Sequence, residues 1–306
     1  MFTSPLLIGF IATAFLADGY TDRYYLRLTS PQQNALIIGS SRAGQGLLPS
    51  VLNPALAHEY PQPLYNFAFS SLFSPFGETY LNAIRKKLNN EIKNSLFIVS
   101  VDPWCLAAAK QDPEDSSLFQ ERQCMLGNNP WINTNPCFTY FIKDYPMPYL
   151  TLFTGKLHRD FFHFRPDFRL HENGWLEISC GMDSLTVKDR SAATLFRLVH
   201  DMNQKTISNT RLSYLTKTIR FLQQHGDVYV VRMPVHPNTL AVENKLCPVF
   251  NRIIDSLTRQ CRVPYFNFTD SCSKYTYVDG SHLWKESGAL LSKELSQLII
   301  NYRHSR

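Results

Sequence analysis

The stretch Leu36-Ile37-Ile38-Gly39-Ser40-Ser41-Arg42-Ala43-Gly44-Gln45-Gly46 sets the fold and the chemistry of this chain. Its apolar run, stopped by glycine and serine, reads as a buried strand. The residues beyond the stop form either a phosphate-cradling loop or a turn that presents a serine. A P-loop needs G-x-x-x-x-G-K-[ST], with the lysine on the phosphates and the hydroxyl on magnesium. Gly39 and Gly44 have the spacing, but Gln45 and Gly46 stand where the lysine and hydroxyl belong. The dinucleotide pattern G-x-G-x-x-G fails as well. The stretch therefore points to Ser41 as a nucleophile at the carboxyl end of a strand, and a nucleophilic serine needs a base.

The same strand signal recurs in "LYNFAFSS", "SLFIVSVDP", "DVYVVRMP" and "VPYFNFTD". Helical patterns alternate with them at "GETYLNAIRKKLNNEIKN", from Leu240 to Arg259, and from Lys285 to Tyr302. Alternation of this kind predicts an α/β fold, a parallel sheet with helices on both faces. Ligands of such sheets bind beyond the carboxyl ends of the strands. Residues 105–208, rich in Pro, Asn and aromatics and poor in periodicity, read as an insertion or lid in a single domain spanning 34–302.

The base is found near the chain's end, in "YVDGSHLWKESG", where Asp279 precedes His282 by three residues ahead of the last helix. That spacing lets the carboxylate fold back onto the imidazole and fix its tautomer. With Gly39-x-Ser41 after the first strand and Asp279-x-x-His282 before the last helix, the sequence resembles the SGNH (GDSL-type) hydrolase superfamily. The first block of that family, Gly-Asp-Ser, is matched by Gly39-Ser40-Ser41. The second is matched by Asn66, Ala68, Ser70 and Ser71, with Ser71 in place of a glycine whose amide lines the oxyanion hole. In the third block Asp102 sits where the family has an oxyanion-donating Asn.

The resemblance covers residues 34–104 and 209–302. It implies a three-layer, flavodoxin-like α/β sheet and a serine esterase or O-acyltransferase acting on an acylated glycan, lipid or small ester. Ser41 would be nucleophile, His282 base and Asp279 its orienting carboxylate, with the amides of Ser41 and Ser71 on the oxyanion. A narrower likeness is to the membrane-anchored branch associated with bacterial cell-surface polymer acylation, which implies an extracytoplasmic site and a membrane-bound O-acyltransferase as partner. Asp102 and Ser40, which depart from the pattern, keep open a non-catalytic accessory role in such a complex.

Other residues are read from their neighbours in sequence. Arg42 either pairs with Asp102 or binds an anionic substrate group through its forked guanidinium. Arg232 and His236, after the fourth strand, fall on the expected ligand edge; either contacts substrate, or His236 is a structural loop residue. Trp104 is read as core. The N-terminal twenty residues carry no charge before Asp18, at the short end of the roughly 17–25 apolar residues of a membrane span. No Lys or Arg precedes the apolar run as in a signal peptide, so the stretch reads either as an anchor or uncleaved signal segment or as an apolar helix packed on the domain.

The 306 residues, 44% hydrophobic and 18% charged, are those of a folded globular chain. A net charge of +6 without clustering gives no support to nucleic-acid binding. Seven cysteines without a CxxC give no zinc pattern, and a bridge among those in 105–180 is an option only for an exported chain. His158, His163 and His171 have no metal-ligand spacing. Neither metal nor organic cofactor is implied.

Overall fold

The computed structural model describes residues 11, 14–144 and 167–305. Five strands form its central sheet: β1 (Ala35–Ile38), β2 (Leu64–Asn66), β3 (Ser95–Ser100), β8 (Gly226–Arg232) and β9 (Tyr265–Asn267). Their order is β2-β1-β3-β8-β9, and every neighbouring pair is parallel. This is the doubly wound order, in which the chain reverses its direction of winding between the first and third strands and leaves a crevice there. Register is tight across it: Leu36 opposes Phe97 and Ile38 opposes Val99, while β3 runs along β8 from Ser95–Gly226 to Ser100–Val231.

The period-two alternation of side chains divides the strands' apolar residues between two cores. Leu36, Ile38, Phe97, Val99, Val228 and Val230 face one. It is covered by the helices Glu78–Lys87, Asn209–Gln223 and Phe250–Cys261, through residues such as Tyr80, Ile219 and Ile254. Ala35, Ile37, Leu96, Ile98, Tyr229 and Val231 face the other. There Ala43, Leu52 and Leu56 pack with Leu291, Leu295 and Ile299 of the helix Lys285–His304. Three layers result, as the strand–helix alternation predicts.

Two helices differ from the sequence expectation. The run from Leu240 to Arg259 is two helices, Pro237–Leu246 and Phe250–Cys261. Pro248 stands in the break and cannot donate to a continuing helix. The helix Glu78–Lys87 stops short of "LNNEIKN" because Asn89 N donates to Gln33 O and pins the chain to the strand entry.

Residues 105–208 lie between β3 and the crossover helix Asn209–Gln223. Their two ends are laced together by an antiparallel pair, β4 (Ala107–Ala109) with β7 (Lys205–Ile207). Within them a hairpin of β5 (Phe168–Leu170) and β6 (Leu176–Ile178) precedes a 21-residue helix, Ser184–Gln204. The poor apolar periodicity of 105–208 gave no sign of that helix. Asp183 caps it, accepting from Thr186 N at 2.9 Å. It buries only Leu198, so it presents almost no apolar stripe to be read.

Of the expected N-terminal anchor at 1–20, residues 1–10, 12 and 13 lie outside the described residues. Ala14 is in the core, and Gly19 O accepts from Leu170 N at 2.7 Å. Among the described residues no helix is long and apolar enough to cross a membrane. His158 and His163 also lie outside the described residues. All seven cysteines are free thiols, so the disulfide option within 105–180 is not taken up.

Candidate active site

The carboxyl ends of β1 and β3 meet at the reversal point of the sheet, and the chain turns there at Gly39. Its φ of +141° and the approach of Ser100 leave no room for a side chain: a Cβ would stand 2.7 Å from the Ser100 carbonyl oxygen. The turn delivers Ser40 as cap and Ser41 as first residue of the short helix Ser41–Gly46. Ser41 Oγ lies 2.8 Å from His282 Nε2.

His282 comes from the turn before the last helix. Its Nδ1 lies 2.9 Å and 3.0 Å from Asp279 Oδ2 and Oδ1. With the proton on Nδ1 donated to Asp279, Nε2 is an acceptor for the Ser41 hydroxyl. Asp279 Oδ1 also accepts from the amides of Ser281 and His282, at 3.0 Å and 2.9 Å. Burial works against the charge of Asp279, but His282 and these amides outweigh it and hold the carboxyl well below the usual carboxylate range. Gly280, at φ +78°, lets the turn close inside this three-residue spacing.

Ser41, Ser71 and His282 line one cleft, with Arg42, Asp102 and Trp104 in its walls. The Ser41 and Ser71 amides donate to no backbone acceptor among the described residues. Arg197, Leu198, Asp201 and Lys205 cover the cleft from above. Its free volume is about 30 Å³, room for about one water molecule.

Three expected roles are corrected by the geometry. Asp102 is not paired with Arg42. It accepts from Ser40 Oγ at 2.6 Å, from Cys105 N at 3.0 Å and from the Cys105 thiol at 3.6 Å. Ser40 and Asp102 are therefore one hydrogen-bonded pair, a hydroxyl donating to a carboxylate. Arg42 is buried, and Nη1 contacts Glu243 Oε1 at 2.6 Å while Nη2 lies 3.4 Å from Ser281 Oγ. Burial opposes its charge, but Glu243 and Asp102 raise its pKa above the ordinary arginine value. Its charge is thus committed within the protein rather than offered to an anionic substrate.

Arg232 is outside the cleft altogether. It is 1% exposed and donates to Asn251 Oδ1 at 2.6 Å and Glu243 Oε2 at 2.9 Å. His236 caps the helix Pro237–Leu246 through Asn238 N, the structural alternative. Asn66 is structural too, donating to the carbonyls of Ala43 and Leu47 at 2.9 Å and so fixing the helix behind Ser41.

Glu243 was not legible as a site residue. Fully buried, it gathers Arg42, Arg232 and the Trp104 indole N–H, the last at 2.9 Å. It thereby ties the ends of β1, β3 and β8 together beneath the cleft. The available signal is a single carboxylate on the otherwise inward face of "TLAVENKL". Among the described residues no cluster of His, Cys, Asp and Glu is arranged to hold a metal ion. No protein-family model matches the chain, and no curated protein matches it.

Proposed function

We propose that the chain is a serine-dependent esterase or O-acyltransferase of SGNH type, using Ser41, His282 and Asp279. The observation that carries the reading is the unbroken hydrogen-bonded series Ser41–His282–Asp279, at 2.8 Å and 2.9 Å, on the carboxyl edge of a parallel sheet. His282 Nε2 takes the Ser41 proton as Oγ attacks the ester carbonyl. The amides of Ser41 and Ser71 receive the developing oxyanion. The tetrahedral adduct collapses, His282 returns the proton to the departing alkoxide, and the acyl group stays on Ser41. Water or an acceptor hydroxyl, deprotonated in turn by His282, then releases it as acid or new ester.

On this reading the substrates are acylated glycans, lipids or small esters. The narrower likeness adds an N-terminal membrane attachment, an extracytoplasmic site and a membrane-bound O-acyltransferase as partner. The Ser40–Asp102 pair favours a second reading, an accessory binding protein on the same fold, because it places a carboxylate where the family has an amide donor.

Release of p-nitrophenol from p-nitrophenyl acetate by the full chain tests the first reading. Ser41→Ala and His282→Ala are expected to lower kcat by about 10³-fold or more. No release by the folded wild-type chain, or equal release by Ser41→Ala, would overturn it.

A further inference from the structure

The helix Ser184–Gln204 roofs a second cavity besides the cleft. Its C-terminal half covers Ser41 and His282; its N-terminal half covers a groove of about 700 Å³. The two meet at the Asp279–His282 turn, where Ser281 and His282 line the cleft and Gly280 lines the groove. A Cβ on Gly280 would stand 3.4 Å from Thr239 Oγ1 and 3.7 Å from the Cβ of Ser191. The groove is therefore built against the same turn that holds the triad's base.

Its polar lining is unspent. The hydroxyls of Ser184, Ser191, Thr239 and Thr276, the Asn238 side-chain amide and His236 Nε2 make no hydrogen bond to the described residues. Ser184, Asn238 and Thr276 are exposed to solvent, while Ser191 and His236 are half-buried and Thr239 is buried. Thr239 is only 2% exposed, so its hydroxyl has the groove as its outlet. Tyr275 and Tyr277 have committed their hydroxyls, to Glu294 at 2.7 Å and Cys272 O at 2.7 Å, and offer rings as walls.

Unspent hydroxyls and amides beside aromatic and aliphatic surface suit a ligand with hydroxyls on its edges and C–H groups on its faces. A fatty chain would bury those polar groups without partners. A phosphate-bearing ligand would find Lys188 as the lone cation of the lining. We propose that this groove binds a sugar-sized, polyhydroxylated group. On the esterase reading above, on which this assignment of role rests, it receives the part of the substrate remote from the scissile ester.

The test is direct binding to the full chain, followed by NMR or calorimetry, with cellotriose, maltotriose and trigalacturonate as probes. At least one is expected to bind. Ser191→Trp, which fills the groove from the roof, is expected to weaken that binding about tenfold or more, and Thr239→Val, which removes one hydroxyl, by several-fold to about tenfold. Leu185→Ser, on the exposed face of the same helix, is expected to leave it unchanged. Binding of none of the three, binding of decanoate instead, or binding indifferent to both groove variants overturns the proposal. Fluorophosphonate labelling of Ser41 in parallel separates the two readings. A wild-type chain that binds sugar but does not label refutes the esterase reading and keeps the groove; labelling without sugar binding does the reverse.

Discussion

At the scale of single residues, the site is a set of local spacings brought together by the sheet. Ser41 two positions past Gly39 and Asp279 three positions before His282 are patterns short enough to be read along the chain, and the structure joins them at 2.8 Å and 2.9 Å. Asp279→Asn is expected to leave that geometry in place but lower kcat by about 10⁴-fold, because the amide no longer holds the productive imidazole tautomer; steady-state kinetics against p-nitrophenyl acetate check it. Asp279 also carries a pH signature. Its carboxyl is depressed in the folded chain, so it stabilises the fold above its ordinary value of 3.8, and that contribution fades as pH falls below it. Acid titration of the fold should show a shallower loss of stability in Asp279→Asn than in wild type. The partners of Asp102 and Arg42 were not legible, because which charges meet depends on how separate loops cross. Arg42 faces Glu243, which comes from a helix after β8, far along the chain.

At the scale of elements, strands and buried helices announce themselves through apolar periodicity, whereas the roof of the site does not. The helix Ser184–Gln204 buries Leu198 against Trp104 and Val242 and little else. A second tie is Arg190 Nε, which donates to Val278 O at 3.0 Å. With so few buried contacts the helix is expected to open more readily than the sheet. Its opening would widen the cleft beneath it, whose free volume is only about 30 Å³. Hydrogen exchange should show amides of 190–202 protected less than those of β3 and β8, and Leu198→Ala should widen the difference. Protection equal to the strands would show a fixed roof. Beneath the site, Glu243 joins three strand ends. Glu243→Ala strands the Arg42 and Arg232 guanidinium groups in the interior and is expected to cost about 3–5 kcal/mol, read by urea unfolding.

At the scale of the whole molecule, two apolar cores on either face of one parallel sheet hold the reversal point rigid, and the site sits where the topology leaves its crevice. The fold class was legible because its five strands are short apolar runs with strong stops; the extra layer over the site was not, since it rests on one buried leucine. Away from the site, Lys87 is wholly buried and donates to Leu28 O and Ser30 O, and burial pushes its pKa from 10.5 down to about 7. Between those values the unfolded chain binds the additional proton, so stability should rise with pH, by about 2 kcal/mol from pH 7 to 9. Denaturant unfolding of wild type and Lys87→Met at both pH values checks it: the variant should lack that slope. The proposed chemistry depends on Ser41 being a nucleophile activated by His282. Its sharpest test is reaction of the full chain with a fluorophosphonate, followed by peptide mass spectrometry. One adduct is expected, on Ser41, absent from Ser41→Ala and strongly slowed in His282→Ala. A folded wild-type chain that takes up no label, or takes it up on another residue, would contradict that role for Ser41.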